Sequence, residues 1–523
     1  MSMTPDRPTD NETPWWREAV IYQIYPRSFA DANGDGVGDL RGIIDRLDYL
    51  GDLGIDAVWL SPIFSSPMAD FGYDVADYLS VDPIFGTNDD LDELISGLHD
   101  RGLRLLLDWV PNHTSDQHEW FQESRSSRTN PRRDWYVWRD GAADGSPPTN
   151  WQAAFAEEPA WTHDPATDQW YLHLFLPQQP DLNWANPEVE AAMHHTLRYW
   201  LDRGVDGFRA DVVHLIGKGA DVDDLPEEQA KNPVISVDRP LGHELLRRIR
   251  ALLDSYDQQP MMVGEVYLLE PGQAASYLGE PGREELHLSF DFRPLHTTWD
   301  AEALQQAIAA AQHDFAEPQW PTWVLSNHDS RRHRTRHGTE ARARAAAVLS
   351  LTVRGTPFLY AGEELGLEDA VIPPDRVVDP GGRDGCRAPI PWTSEGDDRS
   401  GHGWPAEPWL PFPANAATHA ADGQVGVEGS MHSLYRRLLG LRRERPALRH
   451  GSMDRAPLTD GVLRFDRTWD GETTTVLVNA AAAPVAWPQG LTDANVVASS
   501  VPDRTRVTDE LAPDEAVVID ARY

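Results

Sequence analysis

Eight short apolar segments recur between residues 20 and 360 of the 523-residue chain, and a stretch with helical periodicity follows most of them. Buried parallel strands that alternate with amphipathic helices produce this pattern. Eight repeats predict a closed (β/α)8 TIM barrel, in which functional side chains extend from the carboxyl ends of the strands. The predicted strands are 20–24, 57–60, 103–110, 207–212, 261–266, 286–290, 322–325 and 357–360, and the predicted helices include 45–53, 91–101, 188–203 and 241–256.

Two long stretches break this repeat. One, at 362–426 after the eighth predicted strand, is rich in Pro and Gly and predicts an elaborated loop over the barrel mouth. A stretch rich in Trp, Pro, Asp and Arg follows the third predicted strand, and a loop of that length without its own structure is uncommon, so it predicts an inserted subdomain. Short alternating segments near the carboxyl terminus predict a small all-β domain. The predicted organisation is a barrel formed by 1–113 and 185–449, an inserted subdomain at 114–184 and an all-β domain at 450–523.

The chain is strongly acidic, with 84 Asp and Glu against 46 Lys and Arg and a net charge of −38. Nucleic acids and anionic membranes are bound by basic surfaces, so this composition argues against both as partners. Two explanations of the acidity stand side by side. One is a high-salt cytoplasm, where salt screens the self-repulsion, and the other is a generally acidic protein from a GC-rich genome.

Cysteine usage and the amino terminus bear on the location of the protein. Cys386 is the single cysteine, so no disulfide can form within the chain, which favours a reducing cytoplasm. We interpret Cys386 as a small buried side chain rather than a nucleophile. Residues 1–13 lack the basic start and apolar run of a signal peptide, and no apolar stretch has the length of a membrane span. These features predict a cytoplasmic protein.

Four acidic residues stand at the ends of predicted strands: Asp108, Asp211, Glu265 and Asp329. The carboxyl ends of barrel strands meet at one face, so we expect these side chains to share a pocket. Converging carboxylates suit chemistry on an uncharged sugar, where an acid and a nucleophile act together.

The neighbours of these acids suggest different roles. Arg209 lies two positions before Asp211, so both side chains point the same way, and the guanidinium is predicted to lower the pKa of Asp211 and keep it ionised. A structural ion pair is the alternative. Glu265 has no neighbouring positive charge in the sequence, so burial is predicted to raise its pKa, as in a proton donor. We assign His328 to binding a hydroxyl group.

An acidic loop after the first predicted strand places oxygen ligands at alternate positions, in Asp31, Asn33, Asp35 and Asp39, with glycines between them. This pattern resembles the start of an EF-hand, but the twelfth position is Gly42 and not Glu. A single structural Ca²⁺ is predicted, with a metal-free acidic turn as the alternative. Zn²⁺ is disfavoured because all the ligands are oxygens.

Four segments resemble, in order, the four sequence regions of the α-amylase family, glycoside hydrolase family 13: DWVPNH at 108–113, GFRAD at 207–211, GEV at 264–266 and SNHD at 326–329. QPDLN at 179–183 resembles the additional signature of its oligo-1,6-glucosidase and α-glucosidase branch. The resemblance runs from about residue 15 to residue 448. It implies the barrel, the inserted subdomain and a carboxyl-terminal β-sandwich.

The resemblance also implies a retaining mechanism. Asp211 matches the nucleophile, Glu265 the general acid/base, and Asp329 the carboxylate that binds and distorts the sugar. The residues implied around the substrate are Asp70, Tyr73, His113, Arg209, His328 and Arg387. Of these, Arg387 is expected to pair with Asp70 and close the pocket, which makes the enzyme exo-acting.

Two further implications concern the metal and the substrate. The acidic loop matches the Ca²⁺ loop of this branch, with Val37 contributing a backbone oxygen. Val212, after the expected nucleophile, is associated in this branch with α-1,6 linkages. Taken together, the sequence predicts an α-glucosidase that releases glucose from short α-glucosides such as maltose, isomaltose or sucrose. A transglucosylase or a sucrose or trehalose isomerase with the same intermediate, and a non-catalytic sugar-binding relative, are the alternatives.

Overall fold

The computed structural model describes residues 13–155, 158–219, 222–268, 270–379, 381–454, 456–491 and 494–520. In them, eight parallel strands form one sheet that curves into a barrel, as the repeat predicts. The fourth and fifth strands end before Asp211 and Glu265, so these side chains lie just beyond the strand ends. The strands are β1 (Ile21–Ile24), β2 (Ala57–Leu60), β3 (Arg104–Trp109), β4 (Gly207–Ala210), β5 (Met261–Gly264), β6 (Leu288–Ser289), β7 (Thr322–Val324) and β8 (Thr356–Tyr360).

Backbone hydrogen bonds join the strands in the order β6-β5-β4-β3-β2-β1-β8-β7. The Thr322 side chain spans the seam between the two ends of this order. Its hydroxyl donates to the Ser289 carbonyl at 3.2 Å and accepts from the Asp291 amide at 2.9 Å. The Thr322 side chain thus connects β7 to β6, the two strands at the ends of this order.

Helices surround the barrel, and local signals set their ends. Thr87 and Asp90 form a reciprocal capping box at the start of one helix. Asn186 caps another, which has a proline at its first position, and Gly54 ends a third with φ of 94°. The main outer helices are α1 (Leu47–Leu53), α2 (Asn88–His99), α3 (Pro187–Leu201), α4 (Pro240–Leu253), α5 (Gln273–Ser276), α6 (Ala301–Asp314), α7 (Glu340–Thr352) and α8 (Met431–Glu444).

The chain between β3 and α3 has its own small antiparallel sheet, as expected for an inserted subdomain. Its strands are Trp138–Arg139, Trp161–Asp164 and Gln169–Leu172, with the last in the centre. Leu172 belongs to an apolar cluster that also contains Val212, the residue after Asp211. The inserted segment therefore packs directly against the candidate site.

The described residues of the carboxyl-terminal chain form two antiparallel sheets, one of six strands and one of two, in a β-sandwich arrangement. Arg467 connects the larger sheet to the barrel, because it donates to the carbonyl of Thr352 at the end of α7. The strands of the larger sheet are Ser452–Met453, Leu458–Thr459, Val462–Trp469, Glu472–Asn479, Asn495–Ser499 and Glu515–Asp520, and those of the smaller are Val485–Ala486 and Glu510–Leu511. The domain limits given above stay predictions.

Three expectations from the sequence concern a membrane span, the role of Cys386 and a signal peptide. No helix in the described ranges combines the length and apolar character that a bilayer span requires. Cys386 is a buried free cysteine, and burial raises the pKa of its thiol to about 12, in agreement with a packing role. The expectation of no signal peptide rests almost wholly on residues 1–12, which lie outside the described residues.

A fully buried ion pair joins the inserted segment to the barrel. Lys218, after β4, lies 3.2 Å from Asp181 of the inserted segment, and both side chains are inaccessible to solvent. The Lys218 ammonium also donates to Asn112 Oδ1 and to the Leu215 carbonyl. Burial lowers the pKa of Lys218 and raises that of Asp181. Loss of one partner therefore leaves the other charge buried and uncompensated.

We predict that Lys218→Met destabilises the protein by about 3–5 kcal/mol, because it leaves Asp181 without its partner. The measurement is chemical denaturation followed by tryptophan fluorescence. The chain offers a matched control in Lys231→Met, since Lys231 is half exposed and pairs with Glu228 at the surface. Equal midpoints for the two variants would contradict the prediction.

Candidate active site

A cleft of about 340 Å³ opens at the carboxyl ends of the barrel strands. Its wall includes all three predicted catalytic carboxylates and three of the predicted binding residues. The charged and hydrogen-bonding side chains of the wall are Asp70, Tyr73, His113, Asp211, Asn232, Glu265, Tyr267, Asn327, Asp329, Ser330 and Arg383. Its apolar residues are Ala154, Phe155, Phe175, Val212, Val234, Ile235, Phe292 and Leu295. The predicted residues thus come together in one site.

The register of β3, β4 and β5 brings the acids together. Asp108 on β3 pairs with Arg209 on β4, and Ala210 pairs with Gly264 on β5. One residue further on, the Glu265 amide still donates to the Ala210 carbonyl at 2.9 Å, so the ladder continues past the assigned strand ends. Asp211 and Glu265 therefore leave adjacent strands at the same level.

Gly264 leaves room for two neighbouring side chains. A Cβ atom there would lie 2.4 Å from the Leu286 side chain and 2.9 Å from that of Val213. A larger residue at position 264 would therefore require these side chains to move.

Arg209 is the hub of the acidic cluster. Its Nη1 donates to Asp108 at 2.8 Å and to Asp211 at 2.7 Å, and its Nη2 donates to Glu265 at 2.5 Å. The expectation that Glu265 has no neighbouring cation was wrong. The cation reaches Glu265 from the adjacent strand, which sequence proximity did not reveal.

The expected pKa of Asp211 was also wrong in direction. Burial, followed by the negative charges of Glu265 and Asp108, raises the pKa of Asp211 well above its usual range, although Arg209 acts against this. Burial likewise raises the pKa of Asp108 to about 6 against the effect of Arg209. One guanidinium faces three carboxylates, two of them buried, so Asp211 and Asp108 hold a proton more tightly than isolated carboxyl groups do.

The backbone after Asp211 is strained. Val212 has φ of 33° and ψ of 43°, a left-handed conformation that is unusual for a β-branched residue. Its amide donates to Glu265 Oε2 at 3.3 Å. The packing of Val212 in the apolar cluster of the inserted segment holds it there.

Asp329 lies in a positively charged environment. Its Oδ1 accepts from Arg383 at 2.9 Å and from Arg387 at 3.0 Å. Burial works against ionisation, but the positive surroundings, in which the guanidiniums of Arg383 and Arg387 bond the carboxylate, lower the pKa of Asp329 below its usual range. Asp329 is therefore the ionised carboxylate of the site.

His328 is fully buried between two aromatic rings. Tyr25 and Tyr73 stack on its faces at centroid distances of 5.7 and 5.6 Å. Gln23 bonds its Nδ1 at 2.7 Å, and the Tyr73 hydroxyl bonds its Nε2 at 2.6 Å. Burial lowers the pKa of His328 to about 3, so the ring is neutral. Its contacts connect Tyr73 to Asp329, which lies 3.1 Å from Nε2.

The ion pair that closes the pocket differs from the expected one. Arg383, not Arg387, bonds Asp70, at 3.0 Å, and Arg383 also contacts Asp379 at 2.7 Å. Arg387 instead bonds Asp329 and the His328 carbonyl. Arg383 precedes the short helical turn Asp384–Arg387, and Arg387 is its last residue.

His113 lines the cleft beside Asp70, and the buried Gln179 contacts both residues. Gln179 donates to Asp70 at 3.1 Å and lies 3.1 Å from His113 Nε2, while the Tyr73 carbonyl also approaches that nitrogen at 3.1 Å. Burial and the charge of Lys218 lower the pKa of His113 to about 3.

Sequence reasoning missed Arg383 and Gln179 as site residues, although Gln179 begins the QPDLN signature and Arg383 lies four residues before Arg387. The structure shows Asp108 at the end of β3, bonded to Arg209 and to the Trp59 indole.

The acidic loop has the right donors for a hard cation, with their oxygens turned toward the loop backbone. Asp31 accepts from the amides of Gly34 and Gly36, and Asp39 accepts from those of Ala32, Asn33 and Gly42. In the described residues no group of three His, Cys, Asp or Glu side chains has the arrangement of a metal site. Each carboxylate oxygen has two lone pairs, so the donor set still fits a cation that takes carboxylate, amide and carbonyl oxygens.

Comparison with known proteins agrees with this geometry. Residues 23–451 match the family model for the alpha amylase catalytic domain. The chain is 41% identical over 512 residues to a probable alpha-glucosidase of Rhizobium meliloti, with 92% of each chain covered. It is 37% identical to an oligo-1,6-glucosidase of Parageobacillus thermoglucosidasius, with 90% of this chain and 91% of that one covered.

Two solved structures are similar to this protein over nearly the whole chain. The alpha-glucosyl transfer enzyme XgtA superimposes with a TM-score of 0.89 at 40% identity, covering 98% of this chain and all of that one. A MutB mutant in complex with the substrate sucrose gives a TM-score of 0.90 at 35% identity, covering 97% of this chain and all of that one. The protein belongs to the α-amylase family of glycoside hydrolases.

Proposed function

We propose that the protein is an exo-acting α-glucosidase that releases glucose from short α-glucosides with retention of configuration. The observation that carries this proposal is the cluster of Asp211 and Glu265 on adjacent strands, both bonded to Arg209. Two carboxyl groups that share one cation and retain a proton supply the attacking group and the acid of a retaining glycosidase.

In the proposed mechanism Asp211 attacks the anomeric carbon while Glu265 donates its proton to the leaving oxygen. Arg209 contacts both carboxyl groups, so it holds Asp211 in place and stabilises its charge once the proton resides on Glu265. In the second half of the reaction Glu265 takes a proton from water, which then attacks the glucosyl ester on Asp211.

The closed end of the cleft supports exo action. Arg383 bridges Asp70 and Asp329, and Gln179 holds the other oxygen of Asp70. These carboxylates can accept hydrogen bonds from the hydroxyls of a terminal glucose, and we propose that the ion pairs block the binding of a further sugar beyond it. Tyr73, beside them, offers a ring face for stacking on that glucose.

Transglucosylation is a second candidate, because a solved relative at 40% identity is described as an alpha-glucosyl transfer enzyme. Both activities use the same glucosyl ester and differ in whether water or another hydroxyl attacks it. Incubation with maltose, isomaltose, sucrose and trehalose separates them. Free glucose alone indicates hydrolysis, new oligosaccharides or disaccharides indicate transfer, and no change would contradict both.

We predict that Asp211→Asn lowers kcat on maltose or isomaltose by at least about 10³-fold, because the amide cannot form the glucosyl ester. The matched control is Asp206→Asn. Asp206 precedes the same strand at its other end, where its carboxylate accepts a hydrogen bond from the Leu105 amide. Initial rates of glucose release measure the effect. Near-normal turnover by Asp211→Asn would remove the nucleophile from this role.

We predict that Arg383→Gln raises KM for short α-glucosides by about 10²-fold, since it removes a charge that orients Asp70 and Asp329. Arg331→Gln is the control, because Arg331 lies nearby, is largely exposed and pairs with Asp369. Steady-state kinetics with maltose and with a longer maltooligosaccharide measure both constants. An unchanged KM for Arg383→Gln would contradict the proposed closure.

We also propose that Asp31, Asn33, Asp35, Asp39 and the Val37 carbonyl hold a structural Ca²⁺. The oxygen-only donor set supports this, and the ion would fix the loop between β1 and α1 without a part in the reaction.

Chelation tests the metal proposal. We expect EDTA to lower the midpoint of thermal unfolding by a few degrees and Ca²⁺ to restore it, because an ion that binds only the folded state stabilises it. Asp35→Ala should abolish this response. Asp397→Ala, in a surface turn where Asp397 similarly caps backbone amides, should leave it intact. A wild-type midpoint that EDTA does not change would favour a metal-free turn.

A cytoplasmic location is proposed as well. Its support is the single cysteine, which is buried as a free thiol and needs no oxidising compartment.

A further inference from the structure

A second, smaller cavity lies at the amino-terminal end of the barrel, remote from the cleft. It has a volume of about 120 Å³ and lies between the chain that leads into β1, the start of β3, and α8. Four arginines line it: Arg104, Arg442, Arg443 and Arg449. This concentration of positive charge contrasts with the net charge of −38 of the whole chain.

Two carboxylates line the same cavity and neutralise only part of this charge. Glu18 bonds Arg449 at 3.1 Å, and Asp56 bonds Arg443 at 3.0 Å. Four guanidiniums against two carboxylates leave two positive charges in excess. An anion would therefore find a favourable potential here.

Two of the arginines have unused donors. Arg104 lies over the Trp15 ring at 4.5 Å, and in the described residues no oxygen accepts a hydrogen bond from its guanidinium. Arg442 is 1% exposed, and three backbone carbonyls, those of Leu351, Leu448 and Gly355, fix its terminal nitrogens. Its buried Nε has no acceptor in the described part of the chain. A fixed, buried guanidinium with a free donor is a preorganised anion contact.

The size of the cavity limits the ligand. A water molecule occupies about 30 Å³ of liquid, so the cavity has the volume of about four waters, similar to a tetrahedral ion with four oxygens. Guanidinium groups match such oxyanions because they donate two parallel hydrogen bonds.

We propose that this cavity binds a tetrahedral oxyanion, with inorganic phosphate as the representative ligand. The ion would contact arginines from β3, from α8 and from the helix Pro446–His450 that leads into the carboxyl-terminal sheets. It would therefore connect the start and the end of the barrel and stabilise the closed ring, with no part in the reaction at the opposite face.

The test is the thermal unfolding midpoint of the whole protein in low millimolar phosphate and in chloride at equal ionic strength and pH. Equal ionic strength matters because any salt screens the acidic surface, and low concentration avoids the general stabilising effect of phosphate. We expect phosphate to raise the wild-type midpoint by about 1–3 °C. Arg104→Gln should lose this increment, and Arg104→Lys should keep part of it.

The matched control is Arg399→Gln, which removes an exposed arginine from a surface turn far along the chain. It should keep the full increment. Isothermal titration of wild type and Arg104→Gln with phosphate gives a second readout that does not depend on unfolding. Equal midpoints of the wild type in phosphate and chloride, an equal increment in Arg104→Gln, or titration heats that do not differ between the two proteins would overturn the proposal.

Discussion

The contacts of Arg209 with three carboxylates are the interaction on which the site depends. Asp108, Asp211 and Glu265 come from three neighbouring strands and would repel one another in a buried space without this cation. The barrel register places all of them within reach of one guanidinium. Burial and the shortage of positive charge raise the pKa of Asp211 and of Asp108, so this cluster holds protons more tightly than isolated carboxyl groups do.

In the remainder of the cleft the charges are reversed, because two cations contact one carboxylate. Arg383 and Arg387 both form ion pairs with Asp329 and keep it ionised. Arg383 also forms an ion pair with Asp70. One end of the site therefore holds more carboxylates than cations, and the other holds a carboxylate bonded by two cations. That contrast allows acids of the same chemical type to serve different steps.

The sequence was sufficient to predict the barrel because buried strands such as β2 and β8 are nearly uninterrupted apolar runs. The acidic residues at the strand ends could be predicted from the same apolar runs. Contacts between side chains that are far apart in the sequence could not be predicted, because they depend on strand register and on the packing of loops. The contact of Arg209 with Glu265 and that of Arg383 with Asp70 are both of this kind. The pKa of Asp211 was misjudged because the sequence does not show how completely the neighbouring strands bury it.

The covalent intermediate is the most direct test of the central claim. The Glu265→Gln variant should accept an activated aryl α-glucoside, whose leaving group needs no proton, and then accumulate the glucosyl ester because water is no longer activated. Mass spectrometry of the digested protein should find one added glucosyl unit on the peptide that contains Asp211. An absent adduct together with rapid release of the aryl group, or an adduct on another peptide, would contradict this account.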